Sequence, residues 1–321
     1  MGVFRRRARA KLLSAPLAVS LAELRSPLEQ SYRNTAYCAS VIVQADGKLQ
    51  SRYCGNRWCL VCSRIRTGRA IDVYAPMLAT WTDTHFVTLT VRNVKADDLP
   101  ATVAEILRAL GTDGIPKAMK RTHRLPLVAV RKLECTYSMD RQDYHPHVHM
   151  IVQGREAAFL LRDLWLKRFG DRAVIEAQDV RECDEQSHIE LFKYFTKVVT
   201  SRRDGRRRMV PPSALDVIFR AMRGRRVWQT IGCKLPKEEE SIEAERLDVE
   251  ASAAVSRLDD TVFWQWDQSA ADWIDAESGE CLSGYEPSER FRAFVESIGE
   301  EPGPEPGKGE GSLFMPFSDS G

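Results

Sequence analysis

The stretch HPHVHM, residues 145–150, sets His145, His147 and His149 at every second position, which is half of the chain's six histidines. On a β-strand this alternation puts all three on one face, with Val148, Met150 and Val152 on the other. A single histidine would ordinarily be a satisfied core residue. Two imidazoles about 7 Å apart on one strand face can instead converge on a divalent cation. The preceding segment LVAVRKLECTYSM (127–139) also reads as a strand and RQDY as a polar turn, so the two form a hairpin across which Glu134 can offer a carboxylate oxygen. Glu134 and His145 are both open as the third ligand beside His147 and His149. A mixed histidine and carboxylate set with open positions suits Mn²⁺ or Mg²⁺ on a phosphate better than a closed structural zinc.

A second cluster lies upstream. Cys38, Cys54, Cys59 and Cys62 fall within YCASVIVQADGKLQSRYCGNRWCLVCSRIR, while Cys135, Cys183, Cys233 and Cys281 are scattered and read as small apolar residues. Cys59 and Cys62 form a CxxC, a spacing at which two thiolates bind one tetrahedral Zn²⁺ from a tight turn. A strand–turn–strand over SVIVQADGKLQSRY, turning at Asp46-Gly47, would return Cys38 to the site. The bland alternative is four free thiols in a core. Arg57, Arg64, Arg66 and Arg69 surround the cluster, so a zinc knuckle that presents arginines to DNA follows from the pattern.

Downstream, SHIELFKYFTKVVTSRR has helical periodicity over 187–203. Glu190, Tyr194 and Lys197 then share one side at i, i+4 and i+7, while Leu191, Phe195 and Val198 form the apolar stripe. Ser187-x-x-Glu190 also fits a capping box, which would give Glu190 a purely structural task. A helical tyrosine is ordinarily a packing residue. It becomes a nucleophile toward phosphorus only where its phenol, with a free pKa of about 10, is helped by a polarised phosphate and a nearby lysine.

These residues need a scaffold, and composition bounds it. At 321 residues and 43% hydrophobic, the chain can bury one large core or two smaller ones. No apolar run reaches the roughly 18 residues of a membrane helix. The start, MGVFRRRARAKLLSAPLAVSLAEL, has the arginines of a signal peptide, but Lys11, Ser14, Pro16, Ser20 and Glu23 break its apolar part. It therefore reads as a basic, mobile arm of a cytoplasmic protein. The net charge of +2 conceals 41 Lys/Arg against 23 Asp/Glu over residues 1–236, and 6 against 22 over 237–321. A basic body calls for a polyanion such as nucleic acid, and the arginine runs in SRRDGRRR (201–208) and around Arg225 and Arg226 supply phosphate contacts. The acidic end, with EEPGPEPGKGEGS at 300–312, reads as a solvating and partly disordered extension, in which Phe263, Trp264, Trp266 and Trp273 could form a small docking element. The resulting division is an arm (1–35), a four-cysteine element (36–72), a body (73–236) and an acidic tail (237–321).

In order along the chain, CGNRWCLVCSRIR, FVTLTVRN (86–93), LECTYSMDRQDYHPHVHMIV (133–152) and ELFKYFTK (190–197) resemble the replication initiators of small rolling-circle plasmids of Gram-positive type, members of the HUH endonuclease superfamily. The resemblance covers roughly residues 36–235, and His147-Val148-His149 is its HUH motif. It implies an α+β fold: a ferredoxin-like antiparallel sheet with flanking helices, preceded by the small zinc-binding element. It further implies that Tyr194 attacks a phosphodiester of single-stranded or hairpin origin DNA, with Lys197 and Lys193 beside the phosphate. The products are a 5′-phosphotyrosyl enzyme and a 3′-OH primer for a host polymerase and helicase, and Glu190 activates water at termination. DNA contacts fall to Arg57, Arg64, Arg66, Lys193, Arg202, Arg206, Arg207, Arg225 and Arg226. A single-strand transposase or a relaxase shares this chemistry, although a relaxase more often carries its tyrosine ahead of the histidines. A non-catalytic zinc-ribbon DNA-binding protein is the rival of another class.

Overall fold

A computed structural model describes residues 2–45, 48–193, 197–201, 207–234 and 262–298. They form two compact units, one built from the chain up to Thr80 together with the described part of Leu235–Gly299, the other from Trp81–Lys234.

In the first unit α1 runs over Gly2–Glu23, α2 over Glu29–Ala36 and α3 over Leu60–Leu78. The N-terminal segment is thus a packed helix, not a mobile arm. Ala10, Leu13, Leu17 and Leu21 recur at helical spacing and are buried. Its arginines are also engaged: Arg5 Nε donates to Ser283 O at 3.1 Å, Arg7 Nη1 to Tyr53 Oη at 2.9 Å, and Arg9 lies over the Phe291 ring. Strands β1 (Val41–Ala45) and β2 (Lys48–Ser51) make the expected hairpin; its Asp46-Gly47 turn lies outside the described residues.

The acidic end departs from expectation. Residues 262–298 carry β10 (Val262–Asp267), β11 (Asp272–Asp275) and α9 (Glu289–Glu296). They complete a sheet of order β11-β10-β1-β2 in which Ile42 pairs with Trp264 and Trp266 with Trp273. Net acidity misled here because a charge count does not show burial: Trp273 is 0% exposed, and even Asp272 is buried, its carboxylate accepting from Ser283 N.

The second unit is a five-stranded antiparallel sheet of order β6-β3-β5-β4-β9. Its strands are β3 (Thr84–Thr90), β4 (Ala129–Ser138), β5 (Asp143–Gln153), β6 (Asp179–Glu182) and β9 (Trp228–Ile231). Helices α4 (Leu99–Ala109) and α5 (Ile115–Thr122) connect β3 to β4, α6 (Arg155–Phe169) connects β5 to β6, and α8 (Pro212–Met222) precedes β9. Helix α7 covers only Glu185–Phe192, and a short hairpin of β7 (Val199–Ser201) with β8 (Arg207–Met209) follows it. The helix expected over 187–203 therefore stops early, with Lys193 already extended at φ −60°, ψ 165°. The β-branched run Val198-Val199-Thr200 favours a strand over a continued helix. Asp184, not Ser187, is the N-cap: its carboxylate accepts from Ser187 N at 2.7 Å, so Glu190 has no capping role. Among the described residues no helix is long and apolar enough to cross a membrane.

Candidate metal centres

Register builds the first centre. Strand β5 is flanked by β3 and β4, so His147 lies between Thr90 and Glu134, and His149 between Thr88 and Lys132. Because alternate residues share a face, these six side chains form one patch on the sheet. His147 Nε2 is 3.9 Å from Glu134 Oε1 and His149 Nε2 is 3.8 Å from Glu134 Oε2. One ligand atom from each of the three lies within 4.8 Å of the other two, the spacing of a possible metal site.

The ring nitrogens facing away are occupied. His147 Nδ1 is 3.0 Å from His145 O, which fixes its proton there and leaves Nε2 with a lone pair; His149 Nδ1 is 3.1 Å from Thr88 Oγ1. Burial pushes the pKa of His147 below its usual range and that of His149 down to about 3, so both rings are neutral ligands at ordinary pH. Glu134 is 1% exposed. Burial alone would raise its pKa, but Lys132 holds it below the usual carboxylate range, and it stays a carboxylate. Its Oε1 is buried and has no hydrogen-bond partner. An orphaned carboxylate oxygen facing the lone pair of His147, with a second neutral imidazole beside the same carboxylate, fits a divalent cation.

His145 does not join this trio. Its Nδ1 is 2.8 Å from Asn93 Oδ1, and its ring stacks on His147 at 5.0 Å between centroids. The sequence left Glu134 and His145 open; the geometry places Glu134 with the pair. Asn93 was missed because it lies beyond the end of β3, where the isolated Val94–Tyr144 bridge brings it beside His145. Lys132 was missed although alternation alone sets it on the face of Glu134, to whose Oε2 its Nζ donates at 2.9 Å.

Around the centre, Glu190 Oε2 accepts from Lys193 Nζ at 2.6 Å. Burial opposes ionisation of Glu190, but Lys193 holds its pKa below the usual carboxylate value. Lys197 Nζ, largely exposed, reaches to 4.0 Å from Glu134 Oε1. Tyr194 lies outside the described residues, as do Arg202, Arg206 and the side chain of Arg207. The i, i+4, i+7 alignment read from a continuous helix does not apply, since α7 ends at Phe192.

The second centre gathers Cys38, Cys54, Cys59 and Cys62, whose sulfurs also lie within 4.8 Å of one another. Cys38 Sγ and Cys54 Sγ stand 3.4 and 3.6 Å from Cys62 Sγ, too far for a disulfide and close to the edge of a thiolate tetrahedron. Cys59 is the N-cap of α3 and accepts from Cys62 N, while Cys54 N donates to Cys38 Sγ at 3.3 Å. Burial raises the Cys59 thiol well above its usual pKa, so a cation is needed to hold four thiolates together. A buried lysine sits beside them: Lys11 Nζ donates to Cys38 O at 2.6 Å under the Trp266 ring.

The arginines divide. Arg66 is 3% exposed and donates to Gly55 O, so it braces the cysteine loop and is not available to DNA. Arg57 and Arg64 are half-buried, whereas Arg225 and Arg226 are exposed.

Comparison with known proteins places the chain in a family. The chain is 27% identical over 164 residues to a protein described as "Protein rep" from Streptococcus pneumoniae serotype 2 (strain D39 / NCTC 7466), covering 46% of this chain and 49% of that one. It is 26% identical over 182 residues to a "Protein rep" from Staphylococcus aureus, covering 50% of this chain and 77% of the relative. The chain thus spans about half the length of the first of these relatives. No solved structure matches it. A family model described as "Replication protein" matches residues 47–274, from the β1–β2 hairpin into β11, well past the 235 at which the motif resemblance stops. That match covers more than half of the chain, which belongs to the replication protein family, that of the rolling-circle plasmid initiators.

Proposed function

We propose that the protein initiates plasmid replication by cutting one strand of its origin, with Tyr194 as the nucleophile. The observation that carries this reading is the buried Glu134 carboxylate, one oxygen of it orphaned, beside the neutral imidazoles of His147 and His149, in a chain of the replication protein family. Glu134, His147 and His149 would hold Mn²⁺ or Mg²⁺, which when bound polarises a phosphate oxygen and balances the charge that develops there. Tyr194 Oη would attack phosphorus as the bond to the 3′ oxygen breaks. The phenol loses its proton and the leaving oxygen gains one, giving a 5′-phosphotyrosyl enzyme and a free 3′-OH. Lys197, beside Glu134, would stabilise phosphate and phenolate. The 3′-OH is a primer, so single-stranded or hairpin origin DNA, a host polymerase and a helicase are the partners this chemistry requires, in the cytoplasm. A ferredoxin-like core is supported by the strand order β6-β3-β5-β4 and by helical connections before β4 and after β5. The cysteine centre would hold zinc and, with Arg57, Arg64, Arg225 and Arg226, serve origin recognition.

The direct test is incubation with each strand of the plasmid origin as a single-stranded oligonucleotide and Mn²⁺, followed by denaturing electrophoresis. A covalent adduct on one strand is expected; none on either strand defeats the proposal. Two further results follow. Glu190, an ionised carboxylate whose side chain is held by Lys193, would act as base toward the water that ends a round. Glu190→Ala should therefore leave the first cut within about twofold and slow release of the enzyme from a regenerated origin by about 10²-fold. Unchanged release would leave Glu190 without a catalytic task. Cys59→Ser should lose tightly bound zinc, measured by mass spectrometry, while Mn²⁺ binding at the histidine centre persists; retained zinc would refute the four-thiolate site.

A further inference from the structure

The three donors on β4 and β5 carry a single negative charge between them, and Lys132 neutralises it. Its side chain is 0% exposed, inside a sheet face where an unpaired ammonium would be very costly. Two acceptors satisfy it: Glu134 Oε2 at 2.9 Å and the main-chain oxygen of Glu190 at 3.3 Å. The second contact, together with Trp228 Nε1 donating to Leu191 O at 3.0 Å, ties the last carbonyls of α7 to β4 and β9. The first contact occupies one oxygen of Glu134 and leaves Oε1, the orphaned one, facing His147 Nε2. An imidazole that gives its lone pair to a cation is a neutral donor, so Glu134 supplies the one negative charge among the three, and the Lys132 ammonium at 2.9 Å offsets it.

We propose that Lys132 is a positioning residue that keeps the metal site deliberately weak, so that the ion is held firmly only when a DNA phosphate adds the missing negative charge. This rests on the reading of Glu134, His147 and His149 as ligands of a divalent ion. Linkage then makes metal and DNA mutually reinforcing: each tightens the other by the same factor. A resting protein would carry little metal, and the cutting centre would be complete only on its substrate strand.

The test reads metal affinity without any cleavage. Mn²⁺ binding to the full-length, zinc-loaded protein is titrated by electron paramagnetic resonance at mildly alkaline pH, with and without a single-stranded origin oligonucleotide. Lys132→Met should bind Mn²⁺ on the order of tenfold more tightly than wild type in the absence of DNA, and the oligonucleotide should add less than it does for wild type. Tighter binding is an outcome that mere loss of packing would not produce. Affinity that is unchanged or weaker, in a variant with wild-type circular dichroism, overturns the proposal. Should Lys132→Met fail to fold, Lys132→Gln removes the same charge and carries the same expectation. His147→Ala separates the two layers. If it binds Mn²⁺ as wild type does, the metal reading itself falls. If it loses Mn²⁺ while Lys132→Met fails to gain, only the role of Lys132 falls.

Discussion

Tyr194→Phe is expected to remove origin cleavage and the covalent adduct, a loss on the order of 10⁴-fold or more, while binding to the same oligonucleotide weakens by less than about tenfold. The size of the first number follows from chemistry. Water can hydrolyse a phosphodiester but leaves no protein–DNA ester, and general bases or cations left in place do not replace a missing nucleophile. The other tyrosines of the hairpin do not substitute. Tyr137 and Tyr144 face each other across β4 and β5, their ring centres 5.1 Å apart. Burial pushes Tyr144 up to about 12 and also raises Tyr137, so neither gives a phenolate readily. Gel-based cleavage and fluorescence anisotropy on the same substrate separate the two effects. An adduct that survives in Tyr194→Phe would move the nucleophile elsewhere, and the peptide carrying the DNA would then identify it by mass spectrometry.

The histidine centre was legible because its information is local and periodic. Alternation sets His147 and His149 on one face, and a hairpin brings Glu134 to it; the turn itself, read at RQDY, lies at 139–142, with Asp143 and Tyr144 already in β5, and this is what sets Glu134 opposite His147. The cysteine cluster was legible for a similar reason, since CxxC and a hairpin return bring sulfurs together over short stretches of chain. Three features were not legible. The end of α7 depends on competition between helix periodicity and the β-branched run after Lys197, and spacing alone favours the wrong side. Arg66 looked like a DNA contact because arginines usually face water; its burial against Gly55 is fixed by the fold of the cysteine loop. The acidic end looked solvated because its charge count hides a period-two apolar face. Its partner strand β1 lies more than 200 residues away, a pairing no local pattern announces.

That distant pairing carries the second large expectation. Trp273→Ala should destabilise the first unit by about 3–5 kcal/mol and lower its metal content, and a chain ending before residue 262 should lose the cooperative melt of that unit altogether. Trp273 is fully buried in the cluster that holds Cys38, Cys59 and Cys62, with Ala8, Ile42 and Val61 around it. Its Nε1 donates to Ala39 O at 2.7 Å, directly beside Cys38, and its ring meets Phe4 and Trp266 edge-on. Replacement by alanine opens a cavity the size of an indole and strands the Ala39 carbonyl, so the transfer, cavity and hydrogen-bond losses fall on the same few atoms. Truncation does more. It exposes the whole edge of β1, uncovers Ile42 and removes the Trp266 ring that covers Lys11. The family match reaches residue 274, so it takes in β10 and most of β11. Thermal unfolding followed by tryptophan fluorescence, with metal analysis of the same samples, checks both variants. A truncated chain that keeps its metal and its melting transition would show that β10 and β11 are dispensable, and that the cysteine centre stands on α1, β1, β2 and α3 alone.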